Sequence, residues 1–262
     1  MKAVAMYSPY GWKAKIGLIV PSTNTVNEPE FWRLAPEGVT IHTARAMLLG
    51  PATEESYYKM AEAVNGAADE LATAEVDVVA YGCTSGSIIC PLPELIRNMS
   101  QRTGTPAIAT AGAVVAALRA LGARRIAVGT PYVDFVNESE DKFLRDYGFD
   151  VLTLQGLRLG ETQEERRGIG RVPPEMVFRL ARAIDRPEAD AIFISCTNLA
   201  TFDVIAEIES ELGKPVVTSN QACFWACLRL LGLRTSITGH GTLLEHQLDP
   251  IDESSYALPS AR

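Results

Sequence analysis

No apolar run in this chain reaches the roughly 18 residues that cross a bilayer; the richest, Pro106 to Leu118, stops at Arg119. No membrane partner is therefore expected. The start, Met1 to Lys15, lacks the apolar core of about 7–15 residues that a secretory leader carries, so a cytoplasmic location is expected. Positive charge is in deficit, with 24 Lys and Arg against 32 Asp and Glu and a formal charge of −8. That balance argues against a nucleic-acid partner, while a pocket's local field can still favour an anion. Histidine is scarce: His42, His240 and His246 show neither metal spacing nor a neighbouring nucleophile. The 5 cysteines form no C-x-x-C pair, so neither a zinc ribbon nor a thioredoxin-type motif is indicated, and no metal is expected. Reduced thiols of a cytosolic protein fit best. There is no P-loop, Gly82 to Gly86 is not a G-x-S-x-G elbow, and Gly168-Ile169-Gly170 lacks the third glycine and the strand of a dinucleotide loop.

The chain does have one stretch and its echo. Val76 to Gly86 and Ala189 to Leu199 each read as a buried parallel strand, then a small residue, then Cys-Thr, then a helix-like pattern. Cys83 and Cys196 thus sit at the carboxyl end of a strand and the amino end of a helix, where backbone N–H groups and the helix dipole favour a thiolate. Further correspondences repeat at an offset of about 110 residues: Ile16 to Pro21 with Ile126 to Pro131, and Gly104 to Gly122 with Gly213 to Gly232.

Around these anchors, strands and helices alternate. Strands are expected near 16–20, 39–48, 76–81, 106–109, 125–129, 149–157, 190–194 and 216–218. From Thr53 a long helix is expected, with Met60, Ala61, Val64, Ala67, Ala68 and Leu71 at helical spacing. Asn27 reads as a helix cap, Gly160 to Arg171 as a polar loop, and the chain after Gly239 as a weakly structured tail. The pattern implies an α/β fold with parallel sheets, arranged as two similar lobes. The lobes are expected at 1–115 and 116–219, with about 220–262 packing back on the first. Ligands of such sheets bind beyond the carboxyl ends of the strands, so facing lobes would bring both cysteines to one cleft.

A lone cysteine is commonly inert core. Two at matching points of a repeat, each in a turn before Thr, read better as a catalytic pair, one thiolate and one thiol acting without metal or organic cofactor. Backbone N–H groups at Thr84-Ser85 and Thr197-Asn198 can hold carboxylates. Cys90, Cys223 and Cys227 read as core. Asn24 and Tyr132, each just after a strand and a proline, fit either turn chemistry and packing or substrate binding. Arg166, Arg167 and Arg171 belong to a solvated loop or to a lid carrying a cation toward an anion.

Val20-Pro21-Ser22-Thr23-Asn24, Tyr81-Gly82-Cys83, Thr130-Pro131-Tyr132 and Ile194-Ser195-Cys196 together resemble the maleate cis–trans isomerases, within the aspartate/glutamate racemase superfamily that also holds arylmalonate decarboxylase. The resemblance spans roughly Lys15 to Gly232. It implies two Rossmann-like parallel-sheet lobes related by pseudo-twofold symmetry, a cleft between them as the active site, no cofactor, and a homodimer or higher homo-oligomer. It implies Cys83 as the nucleophile that adds to the alkene carbon of maleate, Cys196 as the acid that protonates its neighbour, and Asn24 and Tyr132 as ligands of the carboxylates. The presence of both cysteines speaks against the decarboxylase, which keeps the second alone. There is one departure: where such isomerases carry a further substrate-binding Asn, the matching position is Arg166, which can pair a carboxylate bidentately. The expected partner is a small dicarboxylate. Racemisation of an acidic amino acid, arylmalonate-type decarboxylation, and a two-lobed binding or sensing protein remain as alternatives.

Overall fold

The runs rich in Val, Ile, Leu and Ala become short strands covered on both faces, as parallel strands must be. The computed structural model describes residues 8–259. Residues 1–7 and 260–262, and with them the ends of the expected lobes and part of the Met1 to Lys15 start, lie outside the described residues. The first half runs β1 (Ala14–Pro21), α1 (Asn27–Leu34), β2 (Val39–Ala46), α2 (Glu54–Thr73), β3 (Val78–Tyr81), α3 (Thr84–Ile89), α4 (Leu92–Thr103), β4 (Ala107–Ala109) and α5 (Thr110–Ala120). The second runs β5 (Arg125–Tyr132), α6 (Asp134–Asp146), β6 (Asp150–Leu159), α7 (Gln163–Gly168), a 3₁₀ turn at Ile169–Arg171, α8 (Pro174–Ile184), β7 (Ala191–Ile194), α9 (Ile205–Leu212), β8 (Val216–Thr218) and α10 (Ser219–Leu230). It closes with α11 (Thr242–His246) and a 3₁₀ turn at Glu253–Tyr256.

The strands form two four-stranded parallel sheets, ordered β2-β1-β3-β4 and β6-β5-β7-β8. The second order is the first shifted by four strands, so the repeat in the sequence is a repeat of topology. In each sheet the cysteine strand, β3 or β7, is interior and buried along its whole length.

The helices divide by how much of their surface is covered. α2 buries one stripe, Tyr57, Met60, Val64, Ala67, Ala68 and Leu71, and is capped by Thr53. α5 and α10 are different: Thr110 to Leu118 and Ser219 to Arg229 are buried without interruption. A helix apolar on all sides has to be covered on all sides. These two pack on each other, and α10 also reaches β3 and β4 of the first sheet.

Four local expectations need correction. Asn27 does not cap α1; the Asn24 side chain does, accepting from the N–H groups of Val26 and Asn27 at 2.9 Å each. Residues 160–171 are not a plain loop, because Thr162 and Glu165 form a reciprocal capping box that starts α7. Cys196, expected at the amino end of a helix, is followed instead by a turn, and α9 begins only at Ile205. The chain after Gly239 forms α11 and is pinned at Gln247, whose carbonyl accepts from buried Arg229 Nε at 2.9 Å and from Trp225 Nε1 at 2.6 Å.

Gly82 sits where no side chain fits: a Cβ there would lie 2.0 Å from Asn27 Oδ1. Gly82→Ala should displace Asn27 and lower stability by about 1–3 kcal/mol, the usual penalty of overpacking. A urea midpoint unchanged from wild type would contradict this.

Candidate active site

Cys83 follows β3 by way of Gly82 and occupies the N-cap of α3, where its Sγ accepts from Gly86 N at 3.3 Å. Cys196 follows β7 by way of Ser195, and its Sγ accepts from Asn198 N at 3.3 Å. Its φ of 98° is a conformation that side-chain-bearing residues rarely adopt. Strain of that kind persists only where the surroundings impose it. Both thiols line one cavity of about 50 Å³, together with Asn24, Thr84, Ser85, Tyr132, Arg166, Thr197 and Asn198. The space admits a few water-sized groups, and its walls come from both halves of the chain.

Several of these side chains are already committed to joining the halves. Asn24 Nδ2 donates to Thr197 Oγ1 at 3.0 Å, and Thr197 Oγ1 donates to Gly82 O at 2.9 Å. Thr84 Oγ1 donates to Ser219 Oγ at 2.8 Å, and that same oxygen accepts from Cys196 N at 3.0 Å. Asn198 Oδ1 accepts from Thr25 N at 3.1 Å. Beneath them Asn27 Nδ2 donates to Asn220 Oδ1 at 2.7 Å, and Asn220 Nδ2 donates to Glu30 Oε2 at 2.6 Å. The other Glu30 oxygen accepts from Thr201 N and Phe202 N.

Electrostatics separate the two cysteines. Cys83 has a helix-start N–H and Cys196 a turn N–H, yet burial outweighs both and raises each thiol above the ordinary range. Cys196 is pushed up to about 12, against the opposing pull of Asn198 N–H and a hydrogen bond from Tyr132. Cys83 is opposed by more: Gly86 N–H, Ser85, Tyr81 and the positive charge of Arg166. Cys83 is therefore the easier thiol to ionise and Cys196 the better proton store.

Arg166, only 6% exposed, carries the cavity's cation. Nη2 donates to Ser56 Oγ at 3.2 Å, and the guanidinium lies 5.1 Å from the centre of the Tyr57 ring. Its Nη1 is buried with no partner among the described residues. A buried guanidinium nitrogen in that state is poised for an anionic acceptor.

Sequence reading missed several contributors. Tyr57 hides in the apolar stripe of α2, where an aromatic reads as core; it lines the cavity, and burial raises its hydroxyl to about 12. Asn137 accepts from Thr130 Oγ1 and donates to Tyr132 O, fixing the turn that carries Tyr132. Ser219 and Asn220 stand at the β8–α10 junction, which the repeat pairs with Thr110 at the β4–α5 junction. Comparing those two junctions is the signal that finds them. Among the described residues no group of three or more His, Cys, Asp or Glu can hold a metal ion, and no helix is long and apolar enough to cross a membrane.

Burial raises the Glu30 carboxyl to about 7. In the unfolded chain it ionises near its ordinary value of 4.5, so between these limits the folded protein binds the extra proton. Stability due to Glu30 should thus be greatest at low pH and fall by about 2–3 kcal/mol as pH rises from about 4.5 to 7. Urea unfolding of Glu30→Gln beside wild type should show that slope reduced over this window; parallel curves would refute it.

A family model described as arylmalonate decarboxylase matches residues 16–244. The arylmalonate decarboxylase of Bordetella bronchiseptica is 37% identical over 223 residues, 83% of this chain and 90% of that one. The maleate isomerase of Pseudomonas putida is 30% identical over 246 residues, 88% of this chain and 96% of that one. Among solved structures, a cysteine-to-serine mutant of the Nocardia farcinica maleate cis-trans isomerase with a covalently bound succinylcysteine intermediate superposes with a TM-score of 0.82. It is 26% identical and covers 88% of this chain and 98% of that one.

Proposed function

The chain belongs to the arylmalonate decarboxylase family, and within it we propose a cofactor-independent cis–trans isomerase that converts maleate to fumarate. The carrying observation is that two thiols of unequal acidity share one cavity with a buried guanidinium, one of whose nitrogens has no partner among the described residues. The succinylcysteine intermediate of the Nocardia relative supports a covalent route.

In this reading Cys83, as thiolate, adds to one alkene carbon of maleate. The π electrons move to the neighbouring carbon, which takes the proton of Cys196. The result is a succinyl thioether on Cys83 and a thiolate at Cys196, with a carbon–carbon single bond free to rotate. Cys196 then removes a proton from its carbon, the double bond re-forms, and the Cys83 thiolate leaves. No electron is gained or lost overall, and both thiols return to their starting states.

Arg166 would pair one carboxylate through its free nitrogen. Asn24, Tyr132 and the backbone N–H groups of Thr84 and Ser85 would receive the other. Thr197 and Asn198 would shape the Cys196 end, Asn198 through its N–H on the sulfur. The lobes of this site are proposed as 1–115 and 116–219 with 220–262 packing back on the first; the contacts of α10 with α1, α5, β3 and β4 support that return. A cytoplasmic homodimer or larger homo-oligomer completes the proposal, supported by exposed Trp12, Trp32, Met47 and Leu49.

One observation favours a second reading, the 37% identity to an arylmalonate decarboxylase. That chemistry needs Cys196 alone. Reduced protein given maleate should therefore yield fumarate by proton NMR, and both Cys83→Ser and Cys196→Ser should abolish it. Arylmalonate decarboxylation that survives Cys83→Ser, with no fumarate from wild type, would replace the isomerase reading; deuterium exchange into chiral acids that needs both cysteines would point to a racemase. Arg166→Ala should raise KM for maleate on the order of tenfold to a hundredfold, the loss of a charge-assisted pair. An unchanged KM would remove Arg166 from the binding site.

A further inference from the structure

Behind Cys196 lies a carboxyl group that the proposed reaction does not use. Glu140, on the inner face of α6, is fully buried. One oxygen, Oε1, accepts from Ser195 Oγ at 2.7 Å, and Oε2 is buried with no partner. Ser195 is the residue next to Cys196, and its N–H is held by Gly129 O at 2.8 Å in the neighbouring strand. We propose that Glu140 is a positioning residue for Cys196, anchoring the turn through Ser195 and governing, by its own charge state, how readily the thiol gives up a proton.

Among the described residues Glu140 has no counter-ion. α6 packs against β5, β6 and α3. From β5 the groups are Tyr132, on the cavity side, and Arg125, which is exposed and paired with Asp190. Asp150 and Arg158 of β6 are exposed, and α3 carries no charged residue. On α6 itself Asp134 pairs with Arg158, Asp141 with Arg145 and Lys142 with Asp146 at the surface, and Glu138 is exposed. Burial, opposed only by the hydrogen bond from Ser195, pushes the carboxyl up to about 8. When ionised, its charge acts on both Cys196 and Tyr132, raising each.

The consequence for turnover rests on the acid role given to Cys196 above. Having given its proton to the adduct, Cys196 carries negative charge until it takes the proton back. A neutral Glu140 leaves that thiolate unopposed. An ionised one places a second negative charge behind it, so the cycle slows as pH rises through the Glu140 titration.

The test reads the thiol rather than the substrate. Reduced full-length protein is pulsed with iodoacetamide between about pH 6 and pH 10, and carbamidomethylation at Cys196 is followed by mass spectrometry. In wild type the logarithm of the rate should rise with pH, flatten as Glu140 ionises, then rise again. Glu140→Gln should give one unbroken line, about tenfold faster than wild type at pH 9 and equal to it at pH 6. A wild-type line without the flattening overturns the proposal, whether or not the variant folds, and so does a folded variant that tracks wild type at every pH. Because no maleate is used, failure to form fumarate leaves this result standing. An unbroken line in a protein that does form fumarate removes the role of Glu140 alone.

Discussion

One oxygen atom ties the two halves of the site together. Ser219 Oγ accepts from Thr84 Oγ1, beside the first cysteine, and from the backbone N–H of Cys196, the second. A second strut runs from Asn24 through Thr197 to the carbonyl of Gly82. Each cysteine's following threonine is thus bonded to the opposite half of the chain. Hydrogen bonds confer modest net stability, but buried ones are costly to leave unmade. The seam therefore fixes relative position more than it supplies energy, and relative position is what the proposed two-thiol chemistry would need.

Desolvation governs the electrostatics. The N–H groups at both strand ends point at sulfur, yet neither overcomes burial. The result is a graded pair. Arg166 biases the Cys83 side, while Cys196 lies between a raised Tyr132 and the buried carboxyl of Glu140. Small differences in what surrounds two like groups are enough to make them unequal in acidity.

Much of this was legible in the linear chain, for identifiable reasons. Parallel strands covered on both faces leave continuous apolar runs, so β1, β3, β5 and β7 stand out around Ile16, Val78, Ile126 and Ala191. The cysteines were visible because each ends such a run at a matching point of the repeat, and all the residues singled out for the site line one cavity. What stayed hidden depends on contacts distant in sequence. Residues 160–171 are too charged to look structured until the Thr162–Glu165 cap is seen. The C-terminal stretch gains its order from Arg229 and Trp225 inside α10. Tyr57 is indistinguishable from a core aromatic by spacing, and Glu140 shares its helix with exposed acids that differ from it only in which way they face.

The mutual burial of α5 and α10 bears on how such a chain can have arisen. Each is the corresponding helix of its own half, and each has the other as its most extensively contacted neighbour. A half-chain on its own would carry a partly uncovered greasy rod, and the simplest cover is the same rod from another copy. Pairing of identical halves is then the natural precursor, and joining them end to end comes after. Once the halves are joined in one chain, the two cysteine turns no longer have to remain alike, and a symmetric pair of thiols is free to become an unequal one.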